Sequence, residues 1–164
     1  MRQRGPDRQE RGRTGGRRGR GSRLQPGGFY AWSHYTYDKF SEPVRVGFAT
    51  VNQDRAGNEL PYIPRHQYGA HVAWAGSGWR ARLAGLSWGE YWMDNANTEK
   101  YAGWQWVMNL SVSYRRAPHA LTLNVDNLTD KRYAVEAKKD TGGKVSYSAA
   151  APRAVMLTYR YDFH

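Results

Sequence analysis

Hydrophobic and polar residues alternate along most of the chain from residue 29 onward, which is the pattern of a β-strand with one apolar face. In the segment 104–116 the even positions from 104 to 114 are apolar or aromatic: Trp104, Trp106, Met108, Leu110, Val112 and Tyr114. The last segment repeats the pattern with Val155, Leu157, Tyr159, Tyr161 and Phe163. No segment of this part of the chain shows the periodicity of an amphipathic helix. The sequence therefore predicts an all-β fold.

The alternation predicts six antiparallel strands, at about residues 29–40, 64–75, 79–92, 104–116, 119–133 and 153–163. Within the third strand Leu86 and Trp88 change parity, which predicts a bulge. Several strands exceed the usual length of about 5–6 residues and match the roughly 9–11 residues that cross a bilayer. Tight turns at 76–78 and 117–118 alternate with long loops at 41–63, 93–103 and 134–152, as in outer-membrane barrels.

Two architectures suit such a sheet. In a soluble β-sandwich the apolar face packs into a core and the polar face meets water. In an outer-membrane barrel the apolar face meets lipid and the polar face lines a wet interior. Aromatic residues cluster at strand ends, as at Trp104, Trp106 and Phe163. Because such rings form the girdles of membrane barrels, the sequence favours a segment of a transmembrane β-barrel over a sandwich.

Charge divides the chain into a basic tail and a nearly neutral body. The 164 residues carry a formal net charge of +11. Residues 1–23 hold nine arginines against Asp7 and Glu10, a net +7, and no aromatic residue. Such a segment buries too little apolar surface to offset its ordering entropy, so we predict that residues 1–28 are a disordered Arg/Gly-rich tail. Arg-Gly tracts can bind RNA, which leaves a small soluble β protein with an RNA-binding tail as the alternative.

Several classes of site find no support in the sequence. The chain has no cysteine, which excludes disulfides, thiolate metal sites and a cysteine nucleophile. His66 and His71 are five positions apart and would lie on opposite faces of a strand, without the spacing of a zinc site. P-loop, dinucleotide-binding and nucleophile-elbow motifs do not occur. We expect no enzyme activity, no catalytic residue, no metal and no cofactor.

Five short motifs follow one another in the body of the chain. They are Tyr35-Thr36-Tyr37 with Phe40, the segment 57–67 (GNELPYIPRHQ), the segment 94–98 (DNANT), the segment 125–133 (VDNLTDKRY), and Pro152-Arg153 before the aromatic last strand. In this order and spacing they resemble the C-terminal end of a TonB-dependent outer-membrane receptor of the ferric-siderophore type. The segment 125–133 is the most specific match, because it resembles the family's V-x-N-L-x-D-x-x-Y stretch.

The resemblance implies that residues 29–164 are an incomplete barrel. Receptors of this family close 22 strands around a plug, whereas even the smallest bacterial barrels need about 8 strands. With no plug and no signal peptide, the chain is expected to be a fragment with the last six strands of a receptor for an iron–siderophore-like nutrient. Its expected location is the cell outer membrane. The implied partners are membrane lipid, the barrel-assembly machinery, the TonB complex through the missing N-terminal part, and a ferric siderophore, with no nucleic acid.

The resemblance also implies two sets of functional residues. Ligands in this family are held by the plug and the outer loops, where the candidate ligand-binding residues of this chain are Trp92, Asn95, Tyr101 and Tyr147. The last strand of a receptor carries the aromatic signal that the assembly machinery reads, and the corresponding residues here are Tyr159, Tyr161 and Phe163.

Overall fold

A computed structural model describes residues 22–163. These residues form twelve strands, in chain order β1 (Arg23–Trp32), β2 (Ser41–Val46), β3 (Ala49–Asp54), β4 (His66–Gly76), β5 (Trp79–Trp88), β6 (Tyr91–Trp92), β7 (Lys100–Tyr101), β8 (Trp104–Arg116), β9 (His119–Asp126), β10 (Ala134–Lys139), β11 (Val145–Ala149) and β12 (Ala154–Tyr161). The same residues contain no helix, so the all-β prediction is confirmed. Accordingly, no helix in this part of the chain is long and apolar enough to cross a membrane.

Six of the strands form one antiparallel sheet in the order β1-β4-β5-β8-β9-β12. Strands that are neighbours in this order are hydrogen-bonded to each other. The six-stranded antiparallel arrangement predicted from the sequence is confirmed. The remaining strands form three two-stranded hairpins, β2–β3, β6–β7 and β10–β11. Among residues 22–163, β1 and β12 have no further partner, so they are the two open edges of the sheet.

The register separates an apolar face from a polar face. Residues opposite each other on paired antiparallel strands share a face. One row across the sheet is Leu24, Trp74, Ala81, Val112, Leu123 and Leu157. The adjacent row on the other face is Arg23, Ala75, Arg80, Ser113, Thr122 and Thr158. A concavity of about 790 Å³ opens on the polar face, so the apolar face is the convex one.

The strand bounds differ from the predicted ones at both ends of several strands. β1 begins at Arg23, so residues 23–28 of the predicted tail belong to the sheet, while residues 1–21 lie outside the described residues. Side-chain alternation did not reveal this half of β1 because two glycines occupy it. A Cβ on Gly27 would lie 2.5 Å from the ring of His71, and one on Gly28 would lie 2.9 Å from the carbonyl oxygen of Gly69. Close backbone approach to β4, rather than apolar packing, defines this segment.

Two of the three hairpins lie in segments predicted as long loops, whereas β6 of the third lies in the predicted strand 79–92, which ends at Trp88 instead. β2 and β3 lie within the segment 41–63, and β10 and β11 lie within the segment 134–152. Residues 33–40 and 127–133, which were predicted to extend the flanking strands, lie outside every strand. The short turns are as predicted: Ser77 and Gly78 both have positive φ, of 49° and 87°, as a two-residue hairpin turn with the sheet's twist requires.

The prediction of a bulge in β5 at Leu86 and Trp88 is wrong, because β5 pairs with β4 without a break and both side chains lie on the polar face. The bulge at this level of the sheet is in the partner strand, β8. Leu86 pairs with Val107 and Trp88 pairs with Trp104, so three steps in β8 face two steps in β5. At the bulge Trp106 has a φ of 51°. Its ring covers Gly85 on the apolar face, where a Cβ would lie 2.9 Å from the ring. The prediction that Trp104 shares the face of Trp106 is wrong, because the bulge moves Trp104 to the face of Trp88.

Candidate functional site

The long loops meet at one end of the sheet and share a small buried core. Tyr91 and Met93 come from the connection between β5 and β8, and Ala137 comes from the connection between β9 and β12. Packed against them are Trp88, Tyr101 and Val145. The hydroxyl of Tyr91 also reaches the main chain of Ala137. This cluster joins two of the three long connections. We call the three connections together the loop platform (residues 33–65, 89–103 and 127–153).

Asn95 links the remaining connection of the loop platform, residues 33–65, to the other two. The hydroxyl of Tyr37 donates to its Oδ1 at 2.8 Å, and its Nδ2 donates to Glu42 Oε1 at 2.8 Å. Asn58 Nδ2 donates to the carbonyl oxygen of Asn95, also at 2.8 Å. Glu42 in turn accepts from Arg55 Nε at 3.0 Å. Through its side chain and its carbonyl, Asn95 therefore contacts the first long connection at three points.

The other residues of the segment 94–98 shape the same turn. Asn97, at a φ of 54°, accepts from the Glu59 amide at 2.7 Å and donates to the Glu59 carbonyl at 2.9 Å. Asp94 accepts from the amide of Thr98 at 2.9 Å. The DNANT motif is thus a structural element that holds the connection after β6 against the segment before β4.

Glu59 and Arg65 form an ion pair at the edge of the platform. Arg65 donates to both carboxylate oxygens of Glu59, with Nε to Oε2 at 2.9 Å. The hydrogen bond from Arg65 lowers the pKa of Glu59 below its usual value, because it favours the charged carboxylate. The next amide, that of Leu60, donates to the carbonyl of Tyr35 at 3.0 Å. The pair therefore anchors the segment that leads into β4.

Three tyrosines of the loop platform have a pKa above that of a tyrosine in water. Burial raises the pKa of Tyr37, Tyr62 and Tyr91, because it disfavours the charged phenolate. At neutral pH these phenols are neutral hydrogen-bond donors. They suit the orientation of loops or of a polar ligand, rather than anionic coordination of a metal ion.

A cavity of about 310 Å³ opens between the three connections. Its charged lining residues are Glu42, Asp94 and Asp140 against Arg55 and Lys139. This volume lies near the lower limit of about 300 Å³ for small-molecule sites, so it suits one polar group rather than a whole large ligand. Within residues 22–163, no group of three or more His, Asp or Glu side chains is arranged to hold a metal ion.

The structure places all four predicted ligand-binding residues in the loop platform and brings two of them together. The rings of Tyr101 and Tyr147 are 6.3 Å apart, and Tyr147 is 62% exposed. The hydroxyl of Tyr101 donates to the Ala134 carbonyl at 3.0 Å. Trp92 instead lies under the ammonium group of Lys100, at 4.8 Å, and Asn95 is occupied by its three loop contacts. Their role in binding stays a prediction.

The sequence motifs include Tyr37 and Asn58 but not Glu42, and they did not indicate that all three surround Asn95. Each is polar or amphipathic and lies in a segment predicted to be irregular or weakly patterned. Their proximity depends on contacts between residues 37 to 58 positions apart, so no local pattern indicates it. The motif 94–98 was the available signal, because its two asparagines offer both donors and acceptors.

The aromatic residues of the last strand lie on the apolar face at the end with the tight turns. His119 Nδ1 and the hydroxyl of Tyr159 share a hydrogen bond of 2.7 Å. Tyr161 lies with its ring centroid 5.3 Å from that of His119 and 4.8 Å from that of Phe163. Tyr159 is 60% exposed and Phe163 is 89% exposed. They form an accessible aromatic strip. Recognition of this strip by the barrel-assembly machinery stays a prediction.

Comparison with known protein families decides the identity of this sheet. The family described as "TonB dependent receptor-like, beta-barrel" matches residues 13–128, which include β1 to β9. The chain belongs to this family. The resemblance inferred from the motifs is thereby confirmed, and a barrel segment is favoured over a sandwich. The match begins within the segment predicted to be a tail. TonB-dependent receptors are a family of receptors rather than of enzymes.

Solved structures show the same fold. The chain is similar to the ferric yersiniabactin uptake receptor FyuA from Yersinia pestis, with 23% identity, 70% of this chain and 19% of that chain covered, and a TM-score of 0.57. It is similar to the siderophore receptor PiuA from Acinetobacter baumannii, with 19% identity, 84% and 19% covered, and a TM-score of 0.65. For the ferric citrate transporter FecA the values are 20% identity, 70% and 20% covered, and 0.55.

The chain spans about a fifth of the length of each of these three proteins. At these identities the likeness concerns the fold. A comparison with curated proteins gives no match. The described part of this member of the TonB-dependent receptor family is thus a six-stranded portion of a barrel wall with its long connections.

Proposed function

We propose that this chain is part of the wall of an outer-membrane receptor that imports an iron–siderophore complex or a similar nutrient, with TonB as the source of energy. Membership of the family supports the assignment of the chain to a receptor. The descriptions of FyuA, PiuA and FecA as receptors or transporters for siderophores or ferric complexes support a ferric ligand. The partners we propose are membrane lipid along the convex face, the TonB complex, and the ligand at the loop platform.

The observation that carries this proposal is the continuous apolar face of the sheet. Leu24, Leu157 and Val155 are more than 60% exposed, and Trp74 is 38% exposed, although all four belong to rows of apolar residues. Water disfavours a contiguous apolar surface of this extent, whereas the hydrocarbon core of a bilayer accepts it. The opposite, concave face carries the arginines and hydroxyl groups that a wet lumen accepts.

For the ligand we propose the exposed rim of the loop platform. Tyr147 and Tyr101 would contact the ligand through their rings, Trp92 would add a third aromatic surface, and Asn95 would act mainly by orienting the loops. Aromatic rings suit a chelated iron complex because such a ligand presents apolar edges around a buried ion. The strip of Tyr159, Tyr161 and Phe163 would guide assembly of the barrel.

The experiment uses the receptor that contains this segment, in iron-starved cells with and without a functional TonB. Uptake of radiolabelled iron is measured for catecholate, hydroxamate and citrate complexes. We expect uptake of one class, lost without TonB and reduced in Tyr147→Ala. Uptake that does not depend on TonB, or no uptake of any ferric complex, would contradict the proposal.

A further inference from the structure

We propose that the end of the apolar face nearest the tight turns binds the headgroup of an anionic phospholipid, with Arg116 as the phosphate ligand. This inference rests on the proposed function in one respect, because that function places the apolar face in lipid. It adds a specific binding site, a lipid class and a residue.

Arg116 is the one charged residue on the apolar face of the six-stranded sheet, within residues 22–163. The register puts Arg116 on this face because it pairs with His119, which continues the series of Leu121, Leu123 and Val125. No Asp, Glu, Lys or second Arg shares the face in β1, β4, β5, β8, β9 or β12. A single guanidinium on an otherwise uncharged, exposed surface requires an anionic partner or water.

The depth of Arg116 matches a lipid phosphate. The aromatic row at this end consists of Trp79, Tyr114, Leu121 and Tyr159, in which Trp79 and Tyr114 have ring centroids 4.7 Å apart. Rings of this kind lie at the membrane–water interface. The next row on the same face is Arg116, His119 and Tyr161, two residues and thus about 7 Å further along the strands. This row lies on the water side of the aromatic row, where headgroup phosphates are found.

The neighbouring groups leave the guanidinium available. On the polar face Asp162 accepts from both Arg115 and Arg160, each at 3.1 Å. Arg116 has no carboxylate partner among the described residues. The hydrogen bond between His119 Nδ1 and the Tyr159 hydroxyl holds the imidazole in place next to Arg116. The fork of N–H donors on an arginine matches two phosphate oxygens, and the Tyr161 hydroxyl in the same row can supply a further donor.

The absence of any carboxylate on this face of the described sheet favours an anionic lipid. A headgroup with net negative charge, such as phosphatidylglycerol, meets one fixed positive charge and no repulsion. A basic side chain close to an anionic membrane surface contributes attraction equivalent to about a fivefold change in affinity. Zwitterionic phosphatidylcholine has the same phosphate but gains less, because its ammonium group offsets the charge.

Native mass spectrometry of the full chain in neutral detergent micelles tests the site, with phosphatidylglycerol and phosphatidylcholine added in equal amounts. We expect retained phosphatidylglycerol to fall about fivefold in Arg116→Gln. The control Arg132→Gln removes the same charge from the loop platform and should leave retention unchanged. Arg116→Lys should retain an intermediate amount, because it keeps the charge and loses the fork.

Circular dichroism and solubility on the same samples separate this inference from the proposed function. A chain that is soluble and monodisperse without detergent would overturn both, because the apolar face would not need lipid. If the sheet forms in micelles but Arg116→Gln and Arg132→Gln retain equal amounts of phosphatidylglycerol, the headgroup site is wrong and the receptor function stands. Equal retention of the two lipids by the wild-type chain would also overturn the site.

Discussion

The hydroxyl of Tyr91 bonds to both main-chain groups of Ala137. The Ala137 amide donates to it at 2.7 Å, and it donates to the Ala137 carbonyl at 3.4 Å. Both residues are buried, with exposed fractions of 3% and 0%. The contact joins hairpin β6–β7 to hairpin β10–β11, and thereby two separate connections of the sheet.

Tyr91→Phe should release the second of these hairpins. The substitution keeps the ring in the apolar cluster but leaves a buried amide and carbonyl without a partner, at a cost of about 1–3 kcal/mol. Hydrogen exchange at the Ala137 amide should become faster. Tyr147→Phe is the matched control, because Tyr147 is 62% exposed in the same region, and should leave that rate unchanged. Identical exchange in Tyr91→Phe and the wild type would contradict the assignment.

Acid should loosen the segment that leads into β4. The hydrogen bond from Arg65 lowers the pKa of Glu59, so the pair stabilises the folded loop above the ordinary glutamate range. That contribution is lost as the pH falls below about 4.3 and through the lowered folded value. Exchange at the Leu60 amide, corrected for its intrinsic pH dependence, should accelerate over this window.

Glu59→Gln should remove this pH dependence, whereas Glu90→Gln should keep it. Glu90 also pairs with a cation, Lys100, but at a separate place in the platform. A wild-type Leu60 amide whose protection is constant through the acidic range would show that the ion pair does not hold this segment.

A charge on the apolar face should destabilise a receptor that contains this segment. Leu110 is mid-strand and pairs with Leu83 and Val125 on the apolar face. Leu110→Arg should cost about 2–4 kcal/mol in lipid vesicles, as for a charge near the bilayer midplane. Unfolding by denaturant measures the change. Insertion and stability equal to the wild type would refute the lipid-facing assignment.

Asn124→Arg is the matched control on the polar face. It pairs with Ser111 and Met156 and should be tolerated much better, because this face meets water. Asn109 lies on the same face but is a poorer control, because its Oδ1 accepts from the Asn127 amide at 2.9 Å. The structure thus separates two asparagines that the alternation pattern alone treats as equivalent.

Asn95→Ala and Tyr147→Ala should separate loop orientation from ligand contact. Asn95→Ala removes two side-chain hydrogen bonds and should destabilise the platform locally by about 1–3 kcal/mol. Tyr147→Ala should weaken ligand affinity about fivefold, as for a contact residue worth roughly 1 kcal/mol, and leave amide protection unchanged. Ligand titration and hydrogen exchange on both variants measure this. Normal ligand affinity in Tyr147→Ala would remove it from the site.

Much of the sheet could be predicted because each strand carries its own pattern. β8 from Trp106 to Tyr114 and β12 over its whole length alternate regularly, and the bounds of both strands differ from the prediction by two residues at most. Trp104 was assigned to the wrong face because the bulge in β8 reverses the alternation beyond it. The sequence does not show this reversal, since Trp104 continues the run of apolar residues at even positions. The first half of β1 was missed because Gly27 and Gly28 carry no side chain to alternate.

The loop platform could be predicted only as a location. Turn signals were present at Gly47 and Gly143, both at positive φ, and they mark the tips of hairpins β2–β3 and β10–β11. The contacts that organise the platform are of another kind. Tyr91 and Ala137 are 46 positions apart, and Asn95 and Tyr37 are 58 apart, so their pairing follows from the sheet bringing the connections to one end.

The shared use of Asn95 and Tyr91 limits how such a receptor can acquire a new specificity. A connection that touched only the sheet could be exchanged for one from a relative without disturbing its neighbours. Here a foreign segment in place of residues 89–103 would remove the partners of Glu42, Asn58 and Ala137 at once. Loop grafting should therefore succeed when all three connections are transferred together. For the same reason, substitutions in the three connections should occur together when such a receptor changes its specificity.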